Sequence, residues 1–182
     1  MKKKIFLLLF FFCCLLAFSQ EQVTNSDNKI RIAFSPGVVV QRNVFADINV
    51  LIGKSIIDLN PKVPLVGIQG VRIGLETDCN TVIAPKIGYE FNPMIFVLRI
   101  SAANYFQNGN SEFRIIPELG LSFYSWMNLT YGYGISMNNN RISDIGHHRF
   151  SLTFNFNKRL GRKYLEKLIK EDELKNPPAN AR

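Results

Sequence analysis

The segment Arg149-Phe150-Ser151-Leu152-Thr153-Phe154-Asn155-Phe156-Asn157 alternates without a break. Phe150, Leu152, Phe154 and Phe156 share one face. Arg149, Ser151, Thr153, Asn155 and Asn157 share the other. A period of two is the strand period, because successive Cβ atoms point to opposite sides of a pleated chain.

The same period recurs upstream in seven further segments. Ile30, Ile32, Phe34, Val38 and Val40 oppose Arg31, Ala33, Ser35, Gly37 and Gln41, with Val39 an apolar exception. Val44, Ala46, Ile48, Val50 and Ile52 oppose Asp47, Asn49 and Gly53. Val71, Ile73 and Leu75 oppose Arg72, Gly74 and Glu76, and upstream of them the register lapses near Gly67 and Gly70, which suggests a bulge. Ile83, Ile87, Tyr89 and Phe91 oppose Ala84, Lys86, Gly88 and Glu90. Phe96, Leu98, Ile100 and Ala102 oppose Val97, Arg99, Ser101 and Ala103. Phe113, Ile115, Leu119, Leu121 and Phe123 oppose Glu112, Arg114, Glu118, Gly120 and Ser122. Met127, Leu129, Tyr131, Tyr133, Ile135 and Met137 oppose Asn128, Thr130, Gly132, Gly134 and Ser136. Turn residues at 41–43, 77–80, 92–93, 107–110 and 138–140 separate most of the segments. Such spacing predicts an all-β, eight-stranded antiparallel up-and-down barrel over residues 29–157.

Side-chain volume decides which face is inside. An eight-stranded barrel has an interior just wide enough to be filled by side chains. The apolar face carries more than thirty residues, mostly large, and would overfill it. The opposite face is rich in Gly, Ala, Ser and Asn, with isolated charges, unlike a Lys- and Glu-rich soluble surface. Those charges nearly balance: Arg31, Arg72, Lys86, Arg99, Arg114 and Arg149 against Asp47, Glu76, Glu90, Glu112 and Glu118. Buried charges must be paired, so a ladder of interior salt bridges is expected. The apolar face is then the one that meets lipid, and a closed barrel satisfies every backbone group there. Tyr89, Phe91, Phe106, Phe113, Phe123, Tyr131, Tyr133, Phe150 and Phe156 lie largely toward segment ends, as interfacial girdles would.

The chain ends complete the organisation. Lys2, Lys3 and Lys4 precede an apolar run over residues 5–18, with Ala17 and Ser19 at the small-residue positions before Gln20. Residues 1–19 thus read as a secretory signal, helical in its apolar part, and 20–28 as a linker. Two of the three cysteines leave with the signal, so Cys79 is expected as a lone loop thiol without a disulfide. Residues 161–175 break the strand period, and Leu165, Leu168 and Ile169 share one helical side, which predicts a short amphipathic helix within a basic tail, 158–182. Lys158, Arg159, Arg162 and Lys163 are candidates for contact with lipid head groups.

The 182-residue chain carries 22 Lys and Arg against 14 Asp and Glu, a net charge of +8. The signal lysines and the tail account for nearly all of it, and residues 20–157 are almost neutral. The basic excess therefore does not announce a nucleic acid, since no exposed aromatics interleave with it.

The signal, the eight segments and the aromatic-rich last strand resemble small outer-membrane β-barrel proteins of the OmpX and OmpA-barrel kind. The resemblance covers about 130 residues and rests on pattern. It implies a transmembrane barrel in the cell outer membrane, contact with outer-membrane lipid, and assembly by barrel-insertion machinery. An even strand number would put both chain ends in the periplasm. The external loops would then be short, except residues 138–147, and residues 55–63 would form a long periplasmic connection. Pro36, Pro85 and Pro117 depart from the pattern: each removes a ladder donor within a segment and is expected at a bulge or a rim.

Candidate chemistry is sparse. The last loop gathers Asn138, Asn139, Asn140, Arg141, Ser143, Asp144, His147 and His148. Ser, Asp and His together permit a nucleophile and its base, and some small outer-membrane barrels are lipid A deacylases or acyltransferases. That enzyme is one alternative, although no G-x-S-x-G elbow is present. His147 and His148, adjacent on a strand, would face opposite sides and cannot chelate one ion. A soluble periplasmic lipocalin-like binding barrel is the other alternative, with its apolar face inward. The sequence favours a closed barrel with a structural or envelope-interaction role, no open pore, no cofactor, no metal and no catalytic residue.

Overall fold

The structure is a computed structural model and describes residues 30–58, 65–93, 95–138, 141–157, 166–167 and 169–171. The strands are β1 (Ile30–Val40), β2 (Val44–Asp58), β3 (Leu65–Thr77), β4 (Val82–Asn92), β5 (Phe96–Gln107), β6 (Asn110–Phe123), β7 (Met127–Tyr133), β8 (Ile135–Ser136) and β9 (His148–Phe154). Each pairs antiparallel with its neighbour, and β1 pairs with β9 from Gly37↔Thr153 to Val40↔Phe150, which closes the sheet. β7 and β8 are one stave interrupted at Gly134, so the barrel has eight staves. The expected eight-stranded antiparallel barrel is what the chain forms. Closure removes every sheet edge.

Both ends of the barrel segment lie at one rim, called lower here. The upper rim carries turns 41–43, 78–81 and 108–109 and the longer loop 137–147. Asn108 and Gly109, both at positive φ, make the two-residue hairpin turn that favours Asn-Gly. In the turn after β3, the Asp78 carboxylate accepts the N–H groups of Asn80, Thr81 and Val82 at 2.8–2.9 Å. Burial raises its pKa, but these bonds together outweigh that cost and hold it below the usual carboxylate range.

The three prolines correct the bulge half of the expectation, while Pro85, the fourth residue of β4, does lie near the upper rim. None sits at a bulge. Pro36 pairs with Ile48, Pro85 with Leu75 and Pro117 with Ile100, each in an unbroken ladder on that side. On the other side the ladder lapses and resumes in the same register. The β1–β9 pairing stops at Gly37↔Thr153 and reappears at Phe34↔Phe156. The β4–β5 pairing skips from Ile83↔Phe106 to Lys86↔Ala103. The β6 pairing skips from Glu118↔Gly132 to Ile115↔Ile135, opposite the interruption between β7 and β8. A missing N–H therefore costs each proline one side of its ladder and no register.

A second correction concerns residues 55–70. β2 continues to Asp58 and β3 starts at Leu65, so the long connection is shorter than residues 55–63 suggested. The β2–β3 ladder is regular through Gly67 and Gly70, without a bulge. The period looked broken because Ile68 points inward, where it packs with Ala33 and Leu51. Gly53 and Gly70 face each other across this pair. A Cβ on Gly53 would lie 1.9 Å from the Gln69 carbonyl oxygen, so only glycine permits the approach. Gly53→Ala is expected to lower the urea midpoint by the equivalent of about 1–3 kcal/mol, the usual cost of overpacking. A midpoint equal to the parent's would show that the strands separate freely there.

Residues 1–28 and the basic residues Lys158, Arg159, Arg162 and Lys163 lie outside the described residues, as do the expected signal and linker. In the tail, residues 166–167 and 169–171 are helical, and Lys167 pairs with Glu171 at 3.7 Å. Among the described residues no helix is long and apolar enough to cross a membrane, which leaves open a crossing by strands.

Candidate functional site

The barrel wall sorts its side chains as the alternation requires. Ile32, Ile48, Ile73, Ile87, Ile100, Leu119, Leu129 and Phe150 are exposed outward, within a belt of more than thirty large apolar residues. Asp47, Arg72, Glu76, Glu90, Arg99, Glu118 and Arg149 are buried inside. This facing is the reverse of an apolar-lined ligand barrel.

The interior charges form a closed cycle. Asp47 pairs with Arg72 (3.5 Å), Arg72 with Glu90 (2.7 Å), Glu90 with Arg99 (2.9 Å) and Arg99 with Glu118 (3.1 Å). Glu118 pairs with Arg149 (3.3 Å), Arg149 with Glu76 (2.5 Å), Glu76 with Lys86 (2.7 Å), and Lys86 returns to Asp47 (2.5 Å). Four cations and four carboxylates alternate, drawn from β2, β3, β4, β5, β6 and β9. Each charge touches two of opposite sign, which is what offsets its removal from water. The Tyr105 hydroxyl donates to Glu76 at 2.8 Å and the Ser151 hydroxyl to Glu118 at 2.9 Å.

Below the ring, amides and hydroxyls fill the interior. Asn92 Nδ2 donates to Asn128 Oδ1 at 3.0 Å, Asn128 Nδ2 to Glu90 at 3.2 Å, and Asn155 Nδ2 to the Ser125 carbonyl at 2.9 Å. Ser35 donates to Asn155. Arg31 is half-buried near the lower rim and is not a ring member.

Above the ring the chemistry changes. Glu112 and Arg114, two apart on β6, bond to each other at 2.7–2.8 Å. They also hold the last loop. Glu112 Oε2 accepts the Ile142 N–H at 2.7 Å, and Arg114 donates to the carbonyls of Gly146 (2.6 Å) and Ile145 (3.3 Å). Arg42 donates to the Ser143 carbonyl at 2.7 Å, and Gln107 to the Asp144 carboxylate. Ile142 and Ile145 are buried with Val39, Phe45, Val82, Ala84, Ala103, Tyr105 and Ile116. The loop is a cap over the upper mouth, seated on an apolar layer.

This placement separates the residues that an enzyme would need together. Ser143 Oγ donates to Asp144 at 3.4 Å. His147 Nδ1 lies 2.9 Å from the Gly134 carbonyl oxygen, and its ring stacks on Tyr133. His148 Nδ1 lies 2.6 Å from the Tyr131 hydroxyl, on the outer wall. Neither imidazole is bonded to Ser143 or Asp144. Among the described residues no group of three or more His, Cys, Asp or Glu could hold a metal ion. Cys79 is exposed at positive φ in the turn after β3.

On the outer wall, ring contacts run along β7 and β9: Tyr133 with His148, Tyr131 with Phe150, and Trp126 with Phe154, the centroids 5.1–5.8 Å apart. The sequence reading placed charges inside but did not find the cycle, because adjacency within the barrel depends on stave register. It also missed the cap. The available signal was the pair Ile142 and Ile145, the only aliphatic residues between Asn138 and His148. Compared with known proteins, the chain matches no family model, no curated protein and no solved structure.

Proposed function

We propose that the protein is a small outer-membrane β-barrel, of the OmpX and OmpA-barrel kind, that spans the membrane as a closed element without an open pore. Its role in this reading is structural or in envelope interaction. The observation that carries it is the facing of the wall: a continuous apolar exterior around an interior of paired charges. In water that exterior would be a patch far larger than the few hundred Å² that soluble monomers leave exposed. In lipid it needs no cover, and closure leaves no edge to satisfy.

The ring supports the absence of a pore. Arg72 and Arg99 bridge neighbouring staves, while Arg149 on β9 reaches across the interior to Glu76 on β3, three staves away. With eight staves both ends of the barrel segment fall on one side, the periplasmic side in this reading. The cap then faces outward. The basic tail residues Lys158, Arg159, Arg162 and Lys163 would follow the last stave at the inner leaflet, within reach of anionic head groups. Outer-membrane lipid and the barrel-insertion machinery are the partners that the reading requires.

Membrane fractionation with a gel shift tests it. The protein is expected in the outer-membrane fraction, extracted only by detergent, and faster on a gel unheated than boiled. Recovery in the soluble fraction without detergent would refute the reading.

A further inference from the structure

Glu112 and Arg114 are buried ionic groups that the eight-membered ring does not use, and both are committed to the cap. We propose that the upper mouth is a binding site for an apolar peptide segment, filled in this structure by the chain's own residues 142–146 as an internal occupant.

The chemistry of the pair is that of main-chain recognition. A carboxylate oxygen takes an amide N–H, that of Ile142, at 2.7 Å. A guanidinium takes two peptide carbonyls, those of Gly146 and Ile145, at 2.6 and 3.3 Å. Two branched aliphatic side chains, three residues apart, drop beside this clamp into an apolar layer that includes Val39, Phe45 and Ile116. A fatty acid does not fit as well. Its carboxylate would satisfy Arg114, but it has no N–H for Glu112 and would bring a like charge beside it.

Three features make the occupant exchangeable. Glu112 and Arg114 bond to each other as well as to the loop, so withdrawal of the loop strands no lone charge. The ring below contains no loop residue, so the mouth can open while the barrel stays sealed. The loop is also longer than the other upper turns, which gives it room to swing aside.

The test uses the full chain, folded in phosphatidylcholine vesicles or in buffer if it proves water-soluble, so it does not depend on location. The probe is fluorescently labelled acetyl-Ile-Ser-Asp-Ile-Gly-amide. Ile142→Ser with Ile145→Ser weakens the internal occupant. The peptide is expected to bind this variant saturably and at least tenfold more tightly than the parent. N-methylation of its first Ile, which removes the N–H offered to Glu112, is expected to weaken binding at least tenfold. Equal binding of the two peptides, no binding to the folded variant, or displacement by dodecanoate as effective as by unlabelled peptide would each overturn the proposal. Should the double variant not fold, Ala103→Cys in a background with Cys13→Ser, Cys14→Ser and Cys79→Ser reads the same equilibrium. Its thiol, under the cap, is expected to react with a maleimide at a rate that saturating peptide slows at least fivefold. No reaction, or a rate indifferent to peptide, would show a permanent plug.

Discussion

Arg99→Met is expected to destabilise the barrel by about 3–5 kcal/mol, the cost of leaving a buried charge uncompensated. Arg99 lies between Glu90 and Glu118, at 2.9 and 3.1 Å, with its side chain fully enclosed. Its removal breaks the cycle at one point and leaves four carboxylates facing three cations. The informative comparison is with Arg99→Met combined with Glu118→Gln. That pair of changes leaves an unbranched chain of Glu90, Arg72, Asp47, Lys86, Glu76 and Arg149, neutral in sum and with both end residues still paired. The amide introduced by Glu118→Gln would keep a hydrogen bond to the Ser151 hydroxyl, which donates to the native carboxylate. The double variant is therefore expected to recover more than half of the loss. Urea unfolding of parent, single variants and double variant supplies the cycle. A single-variant loss below about 1 kcal/mol, or strict additivity, would mean that water reaches these charges and that they do not act as a unit. The sign of the coupling matters more than its size, because a buried ion pair is weak evidence for stability in itself and an apolar replacement of the whole set can be neutral.

How far the sequence reaches can be judged from individual positions. Alternation locates a residue on one face, and that was enough for Asp47, Arg72 and Glu90 to be placed inside. It says nothing of which interior residues meet across the lumen. Arg149 and Glu76 are 73 positions apart, and only the stave stagger brings them together. Apolar residues on the polar face are the second blind spot. Phe45, Leu51 and Ile68 point inward, and a pattern that equates apolar with outward loses its register wherever they occur, as it does near Gly67. Proline misleads for a related reason. A propensity rule treats its missing donor as fatal to a central strand, yet an antiparallel stave has two ladders, and Pro36, Pro85 and Pro117 each surrender part of one. The cap could be read only in outline. Two isoleucines in an otherwise polar loop signal burial, but not where they are buried or that Glu112 and Arg114 receive the main chain between them.

Arginine substitutions on the outer wall are expected to give a depth profile that distinguishes lipid from water. Ile87 lies midway along β4, between Ile73 and Ala102 on the neighbouring staves, and is 54% exposed. Ile30 opens β1 at the lower rim and is 71% exposed. If the apolar belt sits in a bilayer, Ile87→Arg should cost about 2–4 kcal/mol and Ile30→Arg about 0–1 kcal/mol, since the penalty for a lipid-facing cation falls from the midplane to the interface. If the same wall faced water, both substitutions should stay within about 0.5 kcal/mol, as surface changes usually do. Neither side chain contacts the interior ring, so the difference between the two positions isolates the surroundings from the fold. Unfolding midpoints measured in vesicles of one composition provide it. Equal midpoints for the two variants would remove the lipid-facing assignment while leaving the barrel intact. A cost confined to Ile87 would also locate the bilayer centre on the wall, at the level where the alternating ring of charges crosses the interior beneath it.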